Sequence, residues 1–595
     1  MCGIVGAVGY DETLDYLIKG LKTLDYRGYD SAGIAIGGEK GLRIFKAEGS
    51  VEHLESIIPV GTRGNIGIGH TRWATHGKPS DRNSHPHQSM NHQITLVHNG
   101  VIENFKELKS MLASKGYQFV SDTDSEVVAS LVEYHLSETN DPLKAMQMAM
   151  KEIVGSFAIV MIHEGESDRL YFMKRSSPLL IGKAEGYYLL ASDASPMIPY
   201  TKKFLDIQDE QYGYVDRDWA HIFDEAGNDI KVAYTEKNPE LCQRDLAGYP
   251  HFMLKEIEEI ENVIRRLVLT NTDGDKFTFD PNLIKDIRES DYVIFLACGT
   301  SYHASLVGVR YFEYINKSAS CYIASEWAYY PKIHGKKPFV ILISQSGETA
   351  DLIHCLGIVK ERGLKTLVIT NTQGSTLERG CNYSMLLNAG LEVSVASTKA
   401  YSAQVSAIAL LVSATYGESA EIIKSDLEKC CAVISQIRST KTKAIKKIAK
   451  EIHKAQHLFF LGRGYDYDMS REASLKLKEV SYIHSECFAG GELKHGPIAL
   501  IEPGIPAVIF ITDPVTASSM RNNIQEVQSR GGTPYVISTQ SLSQPGDAIV
   551  VNDYPPMLSA IAISSVAFYL AYYTTLEKGY NVDKPRNLAK SVTVE

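Results

Sequence analysis

The chain begins with Met1-Cys2-Gly3-Ile4-Val5-Gly6, a stretch that decides how its first third is expected to fold. Methionine before a small residue is normally trimmed, which leaves Cys2 with both a thiol and a free α-amine. That amine has a pKa of roughly 7.7–8.0, so it can accept the thiol proton and produce the reactive thiolate. The apolar residues that follow predict a buried strand. We therefore expect a nucleophile here; the alternative is a buried, inert cysteine.

The composition is typical of a multi-domain globular protein. The chain has 595 residues, of which 44% are hydrophobic and 22% charged, and this length suggests roughly four domains of about 150 residues. The formal net charge is -10 without a long basic run, which argues against nucleic acid or an acidic membrane surface as the main partner. Nine cysteines without a CxxC pair favour a reduced, cytoplasmic chain over a disulfide framework or a zinc site.

Neither a signal peptide nor a membrane span is expected from the sequence. Acidic residues appear too early for a leader, at Asp11, Glu12 and Asp15. Polar residues interrupt the longer apolar runs before they reach the length that crosses a bilayer.

The first third, from Cys2 to about residue 235, is rich in strands with a few helices. Strands are predicted at Ile66–Ala74, Ile94–His98, Phe157–Ile162, Leu170–Lys174 and Tyr187–Ala191. Amphipathic helices are predicted at Ser125–Leu136 and Pro142–Ile153. Runs of strands with segregated helices indicate an α+β layered domain.

Val97-His98-Asn99-Gly100 ends one of these apolar strands with polar residues. One interpretation is an oxyanion hole, in which the Asn99 amide and the Gly100 backbone N–H face a developing negative charge. The alternative is a hairpin turn, for which Asn-Gly is a common sequence.

Arg72 and Asp124 suggest a pocket for an amino acid. Arg72 offers a planar guanidinium fork that suits a carboxylate. Asp124 stands where a helix is predicted to start, so it either caps that helix or pairs with an ammonium group. A carboxylate clamp together with an ammonium clamp would hold an amino acid.

Six histidines lie close together in this part of the sequence. No HExxH occurs, and no cysteine or carboxylate stands at ligand spacing, so we interpret them as polar scaffold rather than metal ligands. They are His70, His76, His85, His87, His92 and His98.

Five motifs together resemble the class II glutamine amidotransferase domain of the N-terminal nucleophile hydrolases, an α+β fold with αββα layers. They are Cys2-Gly3-Ile4-Val5-Gly6, Tyr26-Arg27-Gly28, His70-Thr71-Arg72-Trp73-Ala74-Thr75-His76-Gly77, His98-Asn99-Gly100 and Thr123-Asp124-Ser125-Glu126. The resemblance implies that Cys2 attacks the side-chain amide of glutamine with its α-amine as base, and that Asn99 and Gly100 stabilise the tetrahedral intermediate.

The same resemblance implies roles for the surrounding residues. Arg72 and Asp124 would hold the carboxylate and the amine of glutamine. Thr75, His76 and His85 would line the pocket, and Trp73 would gate the exit of ammonia.

The remaining two thirds alternate strand, turn and helix. Short apolar strands are predicted at Tyr292–Ala297, Phe339–Ile343 and Thr366–Thr370, which is typical of a parallel sheet covered on both faces. The order recurs at an offset of roughly 165 residues, so we predict a duplicated doubly wound α/β unit. Ligands of such sheets bind at the carboxyl ends of the strands.

Hydroxyl-rich turns precede helices in the first copy, at Cys298-Gly299-Thr300-Ser301, Ser344-Gln345-Ser346-Gly347-Glu348-Thr349 and Val393-Ser394-Val395-Ala396-Ser397-Thr398-Lys399. Backbone N–H groups, hydroxyls and a helix N-terminus make a phosphate site without lysine. The alternative is ordinary helix capping by Ser and Thr.

The second copy carries ionisable groups instead. Glu472, Lys476 and Glu479 are spaced four and then three residues apart, so they share one face of a predicted helix. The alternative is a solvated stripe of ion pairs. Gly490-Gly491-Glu492-Leu493-Lys494-His495-Gly496-Pro497 places His495 in a constrained turn.

These turns and the tail resemble the paired sugar isomerase (SIS) domains of the glutamine–fructose-6-phosphate aminotransferase family. The motifs are Ser344-Gln345-Ser346-Gly347-Glu348-Thr349, Leu477-Lys478-Glu479, Glu492-Leu493-Lys494-His495-Gly496-Pro497 and the segment 583–595. With the first third, the likeness covers nearly the whole chain. It implies synthesis of glucosamine 6-phosphate from glutamine and fructose 6-phosphate, with ammonia passed internally between two sites.

The resemblance also implies roles in the sugar site. Lys590 would form a Schiff base with the C2 carbonyl, Glu479 would move a proton between C1 and C2, and His495 would help to open the sugar ring. The sugar phosphate would be bound by Thr300, Ser301, Ser344, Gln345, Ser346, Thr349, Val395 and Lys476. In this family the ring-opening histidine comes from the neighbouring subunit, which implies at least a homodimer. Lys590 supplies the imine chemistry, so no metal or organic cofactor is implied.

The composition shifts at Lys237-Asn238-Pro239, which breaks regular structure. We expect a glutaminase domain over 1–239, a linker over 240–280, SIS domains over 281–425 and 445–585, and a catalytic tail over 586–595.

Two alternatives stay open at this point. Another class II amidotransferase would carry an acidic pyrophosphate-binding motif in a single C-terminal domain. A non-catalytic sugar-phosphate sensor would carry a basic helix-turn-helix arm beside the doubled domain.

Overall fold

The computed structural model of the protein describes residues 2–25, 28, 30–38, 41–73, 76–166, 168–236 and 245–591. The chain divides into two compact units, Met1–Arg244 with Ala589–Glu595, and Asp245–Leu588. The first unit contains two antiparallel sheets, and the second is built around two parallel sheets.

The first unit contains fourteen strands and five longer helices in its described part. The strands are β1 Gly3–Val8, β2 Ser31–Gly38, β3 Gly41–Glu48, β4 Ile66–Arg72, β5 His87–Gln88, β6 Ile94–Ile102, β7 Gly155–His163, β8 Leu170–Arg175, β9 Leu180–Lys183, β10 Tyr188–Ala191, β11 Lys203–Asp206, β12 Gln211–Val215, β13 Ala220–Phe223 and β14 Thr235–Glu236. The helices are α1 Thr13–Leu24, α2 Val51–Ile57, α3 Phe105–Ser114, α4 Asp124–Thr139 and α5 Pro142–Glu152.

The two sheets of this unit pack face to face between layers of helices. Their strand orders are β14-β11-β9-β10-β1-β4-β2-β3 and β13-β12-β8-β7-β6-β5. One buried cluster joins side chains from both sheets, such as Ile4 and Val160, and a second lies between β6 and helix α4, with Leu96 and Val132 among its members. Helix α1 covers β1 and β4 on the other side. This αββα arrangement confirms the predicted fold of the first third.

Strand β1 positions the start of the chain. All of its residues are buried, and it pairs with β10 on one edge and β4 on the other. The register sets Gly3 opposite Thr71. Cys2 therefore leaves the sheet beside the end of β4, where Arg72 and Trp73 follow.

Side-chain capping explains where helices α4 and α5 begin. The Thr123 hydroxyl accepts a hydrogen bond from the Glu126 N–H at the start of α4, and the Asp141 carboxylate accepts from two N–H groups at the start of α5, with Pro142 in the first turn. These contacts satisfy N–H groups that a helix leaves unpaired at its N-terminus. The seven elements predicted for the first third all form, with their ends within four residues of the predicted positions.

The second unit contains the following elements in its described part. The strands are β15 Thr272–Asp273, β16 Lys276–Phe277, β17 Tyr292–Ala297, β18 Ala319–Ile323, β19 Pro338–Ser344, β20 Lys365–Thr370, β21 Tyr383–Leu386, β22 His457–Gly462, β23 His484–Ala489, β24 Pro506–Ile511, β25 Thr533–Thr539 and β26 Ile549–Val551. The helices are α6 Phe252–Glu258, α7 Ile260–Asn271, α8 Pro281–Glu289, α9 Gly299–Tyr314, α10 Ala324–Trp327, α11 Ala350–Glu361, α12 Thr376–Gly380, α13 Lys399–Tyr416, α14 Ala420–Gln436, α15 Thr442–Ile452, α16 Tyr465–Ser481, α17 Ala517–Gln528, α18 Ser559–Ala562 and α19 Ser564–Glu577.

The two parallel sheets repeat one plan, and this confirms the predicted duplication. Their orders are β18-β17-β19-β20-β21 and β23-β22-β24-β25-β26, so each strand has a counterpart in the other copy. Helix α9 of the first copy packs on α16 of the second. One buried cluster includes Phe295 from the first sheet and Phe460 from the second, so the two copies share a core.

Helices α6 and α7 fall within the segment expected as a linker. Met253, Ile257, Ile260 and Leu267 are buried on them and join the same core as the two sheets. The amphipathic pattern of this segment therefore serves to pack it against the second unit.

One stretch, Pro556–Glu577, is long and apolar enough by composition to cross a membrane, and 89% of its most apolar window is buried within the protein. The expectation that no apolar run reaches this length is therefore wrong for this stretch. Its apolar residues, including Phe568 and Leu570, belong to the shared core. Packing inside the fold accounts for its hydrophobicity.

Candidate active sites

The Cys2 thiol lies against the backbone that follows β4. Its Sγ is 3.2 Å from the Trp73 N and 3.6 Å from the Trp73 O. Burial raises the pKa of the thiol, although the Trp73 N–H and the charge of Arg72 act in the opposite direction. Because burial holds the sulfur in its protonated form, a nearby base is needed to generate the thiolate.

Asn99 and Gly100 lie inside strand β6, paired with Ala158 and Phe157 of β7. The hairpin-turn alternative is therefore wrong, since the strand continues to Ile102. Gly100 has a φ of 131°, and a Cβ there would lie 2.0 Å from the Ser156 carbonyl oxygen. Only glycine fits this backbone.

The Asn99 amide is held in one orientation beside Cys2. Its Nδ2 donates to the Cys2 carbonyl oxygen at 3.1 Å, and its Oδ1 lies 3.1 Å from Nε2 of His70. His70 Nε2 also lies 2.9 Å from the His98 carbonyl oxygen, so the ring faces two acceptors and donates from this nitrogen. The amide N–H₂ group is thereby directed to the residue that carries the nucleophile.

Four of the histidines form a packed, buried cluster. His70 stacks on His85 with ring centroids 4.0 Å apart, and His85 meets His87 edge-on at 4.6 Å. Burial lowers the pKa of all four, that of His70 to about 3. The His98 N–H donates to Nδ1 of His85 at 3.2 Å, which is the contact of a neutral ring. The cluster therefore acts as uncharged scaffold, as the sequence predicted for these residues.

Arg72 is buried and is anchored to the turn that follows it. Its Nη2 donates to the carbonyl oxygens of His76 and Gly77, whereas its Nη1 is buried with no hydrogen-bond partner among the described residues. Nδ1 of His76 is likewise buried and unpartnered there. An unpaired buried donor is costly, so these two nitrogens form the part of the pocket best suited to take a polar ligand.

Asp124 is buried at the first residue of α4, but it is not the cap of that helix. Thr123 caps α4, and the Asp124 Oδ2 accepts from the Ile102 N–H at 2.9 Å. The capping alternative for Asp124 is therefore wrong. The carboxylate joins the end of β6 to α4, and its charge reaches both Cys2 and Arg72.

Thr75 lies outside the described residues, so its proposed place in the pocket stays a prediction. Among the other residues predicted for this site, Trp73 and Asn99 contact Cys2, His76 contacts Arg72 through its carbonyl oxygen, and His85 belongs to the histidine cluster. The predicted site left out His70 and also Ser125, whose Oγ lies 2.8 Å from Nδ1 of His98. A signal for His70 was available, since alternation along β4 places it on the same face as Arg72.

Two of the three hydroxyl-rich turns, those at 298–301 and 344–349, lie side by side. Strands β17 and β19 are hydrogen-bonded neighbours in parallel register, so the turns that follow them meet at one edge of the sheet. In the second turn, Ser344 Oγ lies 2.8 Å from Thr349 Oγ1 and accepts from the Gly347 N–H at 3.0 Å. The turn is thus held together by its own hydroxyls.

The capping alternative is wrong for these turns. Cys298, Thr349 and Thr398 precede α9, α11 and α13, and none makes a side-chain capping bond. Ser301 is the third residue of α9, and its hydroxyl accepts a hydrogen bond from Nε2 of Gln404 at 3.0 Å. Val395 is held through its N–H, which donates to the Asp583 carbonyl oxygen at 3.1 Å.

The charged face of α16 is buried rather than solvated. The side chains of Glu472 and Lys476 are 0% and 1% exposed, and Lys476 Nζ lies 2.5 Å from Glu479 Oε2 and 2.9 Å from Thr300 Oγ1. The solvated-stripe alternative is therefore wrong. Burial alone would lower the pKa of Lys476, but the Glu479 and Glu472 carboxylates outweigh it and raise that pKa.

His495 and Lys590 differ from the buried residues in their setting. His495 ends a short 3-10 helix, Glu492–His495, and is exposed; Gly496, which follows, has a φ of 136°, so the predicted constrained turn is confirmed. Lys590 is half-buried, and its segment is grouped with the first unit. Its role in the sugar site stays a prediction.

The fold and the two sites define a glutamine amidotransferase domain followed by a pair of sugar isomerase domains. A model of the glutamine amidotransferase domain matches residues 70–198, and a model of the SIS domain matches residues 286–414 and 451–577.

Full-length relatives agree with this division. The chain is 42% identical to glutamine–fructose-6-phosphate aminotransferase (isomerizing) of Listeria monocytogenes and 43% identical to that of Streptococcus pneumoniae, each over 100% of both chains. It also resembles the solved C-terminal domain of glucosamine-fructose-6-phosphate aminotransferase from Francisella tularensis, with 29% identity and a TM-score of 0.55 over 57% of this chain and 100% of that one. The chain belongs to the glutamine–fructose-6-phosphate aminotransferase (isomerizing) family.

Proposed function

We propose that this enzyme converts D-fructose 6-phosphate and L-glutamine into D-glucosamine 6-phosphate and L-glutamate, the first step of hexosamine synthesis. The observation that carries the proposal is the full-length identity of 42% to relatives of that name, combined with a buried thiol site in one unit and a hydroxyl-rich site in the other. Neither site alone distinguishes this reaction from those of other amidotransferases or isomerases.

In the first site, the Cys2 thiolate attacks the side-chain carbonyl of glutamine after its α-amine has taken the thiol proton. The Asn99 Nδ2 and the Gly100 N–H stabilise the resulting oxyanion. The C–N bond then breaks as the Cys2 α-ammonium returns its proton to the departing nitrogen, so that neutral ammonia leaves, and water hydrolyses the thioester to glutamate. The hydrogen bond from Asn99 to the Cys2 carbonyl supports this role because it brings the amide next to the nucleophile.

The substrate glutamine is held at its two charged ends. The buried, unpartnered Nη1 of Arg72 suits the α-carboxylate, and the Asp124 carboxylate suits the α-ammonium. Trp73, Thr75, His76 and His85 complete the pocket in this proposal.

In the second site, the phosphate of the open-chain sugar binds at the turns that carry Thr300, Ser301, Ser344, Gln345, Ser346 and Thr349, with Val395 and Lys476 nearby. Lys590 forms an imine at C2 as a neutral amine, and water leaves. Ammonia displaces Lys590, and Glu479 then moves a proton from C1 to C2 to complete the isomerisation. His495 assists ring opening, from a neighbouring copy of the chain in a homodimer.

Ammonia passes internally from the first site to the second. At neutral pH most free ammonia is protonated and cannot attack an imine, so a protected route keeps it reactive. The proposed route needs neither a metal nor an organic cofactor, because Lys590 supplies the imine. The eight cysteines that the structure describes are all free, which supports a reducing, cytoplasmic setting.

The domain assignment of this proposal places the glutaminase over 1–239, the linker over 240–280, the SIS domains over 281–425 and 445–585, and the catalytic tail over 586–595. The two SIS matches at 286–414 and 451–577 support the boundaries at 425 and 445, between the first and the second SIS domain.

Cys2→Ala provides the main test. Glucosamine 6-phosphate formation from glutamine should fall by at least about 1000-fold, since the nucleophile is lost, while isomerisation of fructose 6-phosphate without glutamine stays within about twofold. Both rates are measured by coupled assays on the purified chain. Cys381→Ala, another partly exposed cysteine and outside both proposed sites, is the control and should retain glutamine-dependent synthesis.

Three outcomes would overturn the proposal. Undiminished synthesis by Cys2→Ala would remove Cys2 from the mechanism. A wild-type chain that binds fructose 6-phosphate but forms no product with glutamine would favour the sensor, and transfer of nitrogen to a different acceptor would favour another amidotransferase.

A further inference from the structure

A buried hydrogen-bonded chain crosses from the first SIS copy to the second and includes two residues that the proposed mechanism does not use. Nδ1 of His303 donates to Glu472 Oε2 at 2.7 Å. The other carboxylate oxygen, Oε1, accepts from the Thr300 hydroxyl at 3.1 Å. Thr300 in turn accepts from Lys476, which pairs with Glu479.

The spacing of these residues makes the chain a product of helix packing. Thr300 and His303 are three residues apart on α9, so they share a face. Glu472, Lys476 and Glu479 share a face of α16, which packs on α9. The network therefore forms only where the two copies meet.

Without His303, the described partners of Glu472 are the Thr300 hydroxyl and the more distant Lys476 ammonium. Two carboxylates, those of Glu472 and Glu479, face the single ammonium of Lys476. The ammonium lies 2.5 Å from Glu479 but 3.5 Å from Glu472, so it is committed mainly to Glu479. A carboxylate as buried as Glu472, at 0% exposure, needs further donors to offset its desolvation.

His303 supplies that donor from a less buried position, with its side chain 18% exposed. Without it, Glu472 would draw the Lys476 ammonium towards itself, because an uncompensated buried charge is strongly unfavourable. Such a shift would lengthen the contact between Lys476 and Glu479 and release Thr300. Both Glu479 and Thr300 belong to the proposed sugar site.

We propose that His303 is a positioning residue of the sugar site: it holds Glu472 so that Lys476 stays with Glu479 and Thr300 stays oriented at the start of α9. This inference rests on the proposed function of that site. It assigns His303 no contact with the sugar.

The test compares His303→Leu with His303→Asn in the full-length chain. The leucine variant removes the donor and should lower kcat for isomerisation of fructose 6-phosphate by about 10- to 100-fold, as expected for a misplaced proton-transfer group. KM for the sugar phosphate should stay within about twofold, since His303 does not bind it. The asparagine variant keeps an N–H donor near the place of Nδ1 and should recover kcat to within about threefold of the wild type.

Arg310→Leu is the matched control. Arg310 also reaches from α9 to a buried carboxylate of α16, with its Nε 3.4 Å from Asp468 Oδ2, but it has no link to Lys476. This variant should lose a comparable contact between the same helices and keep the wild-type kcat. Glutaminase turnover should be unchanged in all three variants.

Specific outcomes would overturn the proposal. They are a leucine variant with wild-type kcat, equal losses in the leucine and asparagine variants, a rise in KM alone, or an equal loss in Arg310→Leu. Failure of the wild-type chain to isomerise fructose 6-phosphate would instead count against the proposed function, so the two failures are distinguishable.

Discussion

The two SIS copies share a backbone plan but use opposite chemistry at the ends of their strands. Gly299 and Gly464 stand at matching turns with φ values of 54° and 56°. Two residues later the first copy has Ser301 and the second has Asp466. A shared turn geometry therefore does not imply a shared ligand.

Asp466 shows how the second copy satisfies its own donors. This carboxylate is 0% exposed and accepts from the Thr512 N–H at 2.7 Å, the Thr512 hydroxyl at 2.5 Å and the Ser559 hydroxyl at 2.9 Å. Burial raises the pKa of Asp466. In the first copy, the turn after β19 is held in part by neutral hydroxyls, those of Ser344 and Thr349.

The second turn of each copy shows the same contrast. Five residues join β19 to α11 and five join β24 to α17, but Ser346-Gly347 in the first corresponds to Asp513-Pro514 in the second. A second carboxylate at this edge disfavours a phosphate. Under the proposed function, this difference predicts one phosphate site per chain, in the first copy.

The largest effect is expected from Lys476, the cation that joins the two copies. Lys476→Met should reduce isomerisation to about 1% of the wild-type rate or less and lower the free energy of unfolding by roughly 3–5 kcal/mol, because the buried Glu472 and the partly buried Glu479 lose the cation that they share. Coupled assays and urea unfolding measure the two effects. Lys478→Met, an exposed neighbour on the same helix, should change stability by less than about 0.5 kcal/mol. Activity of Lys476→Met within tenfold of the wild type would contradict the contrast between the copies.

Asp466→Ala and Ser301→Ala sharpen the comparison at matching positions. The first should lower the free energy of unfolding by roughly 3 kcal/mol, because a buried N–H and two hydroxyls lose their acceptor, while KM for fructose 6-phosphate is unchanged. The second should raise that KM by about fivefold and lower the free energy of unfolding by less than about 1.5 kcal/mol, since the Ser301 hydroxyl loses one hydrogen bond, from Gln404. A reversed pattern, with KM altered by Asp466→Ala alone, would place a ligand site in the second copy.

The smallest effects are expected at the threonines that end the second turns. Thr349→Ala removes the contact to Ser344 and should raise KM for the sugar phosphate about two- to threefold by loosening the turn. Among the described residues, the Thr516 hydroxyl has one hydrogen bond, a 3.4 Å contact to the Asp513 carbonyl oxygen, so Thr516→Ala should leave KM unchanged. Equal shifts in KM would show that the two turns are not distinct in function.

Local signals explain which parts were predictable. The strands of the parallel sheets are short apolar runs between turn residues, and helix α5 begins with an Asp-Pro pair, so their types follow from residues close in sequence. Cys2 was also recognisable as a candidate nucleophile, because it stands beside an apolar stretch typical of a buried strand.

The alternatives that the structure overturned depended on contacts between segments distant in sequence. Asn99-Gly100 was compatible with a hairpin turn until pairing with β7 placed it inside a strand, and Asp124 was compatible with a cap until Thr123 took that role. The face of α16 was compatible with solvent until α9 covered it. The pairing with β7 and the packing of α9 come from residues distant in sequence, and the Asp124 carboxylate accepts from the Ile102 N–H, 22 residues away.

The amino-acid sequence by itself determined the α+β and doubled α/β architecture, the thiol at the start of the chain and the hydroxyl-rich turns. These depend on periodicity, turn chemistry and residue type, which act over a few neighbouring positions. Only the tertiary structure decided the orientation of the Asn99 amide by His70, the burial of Lys476 between two carboxylates and the link from His303 to Glu472. Such contacts depend on how separate strands and helices pack, and packing sets burial, desolvation and hydrogen-bond geometry together.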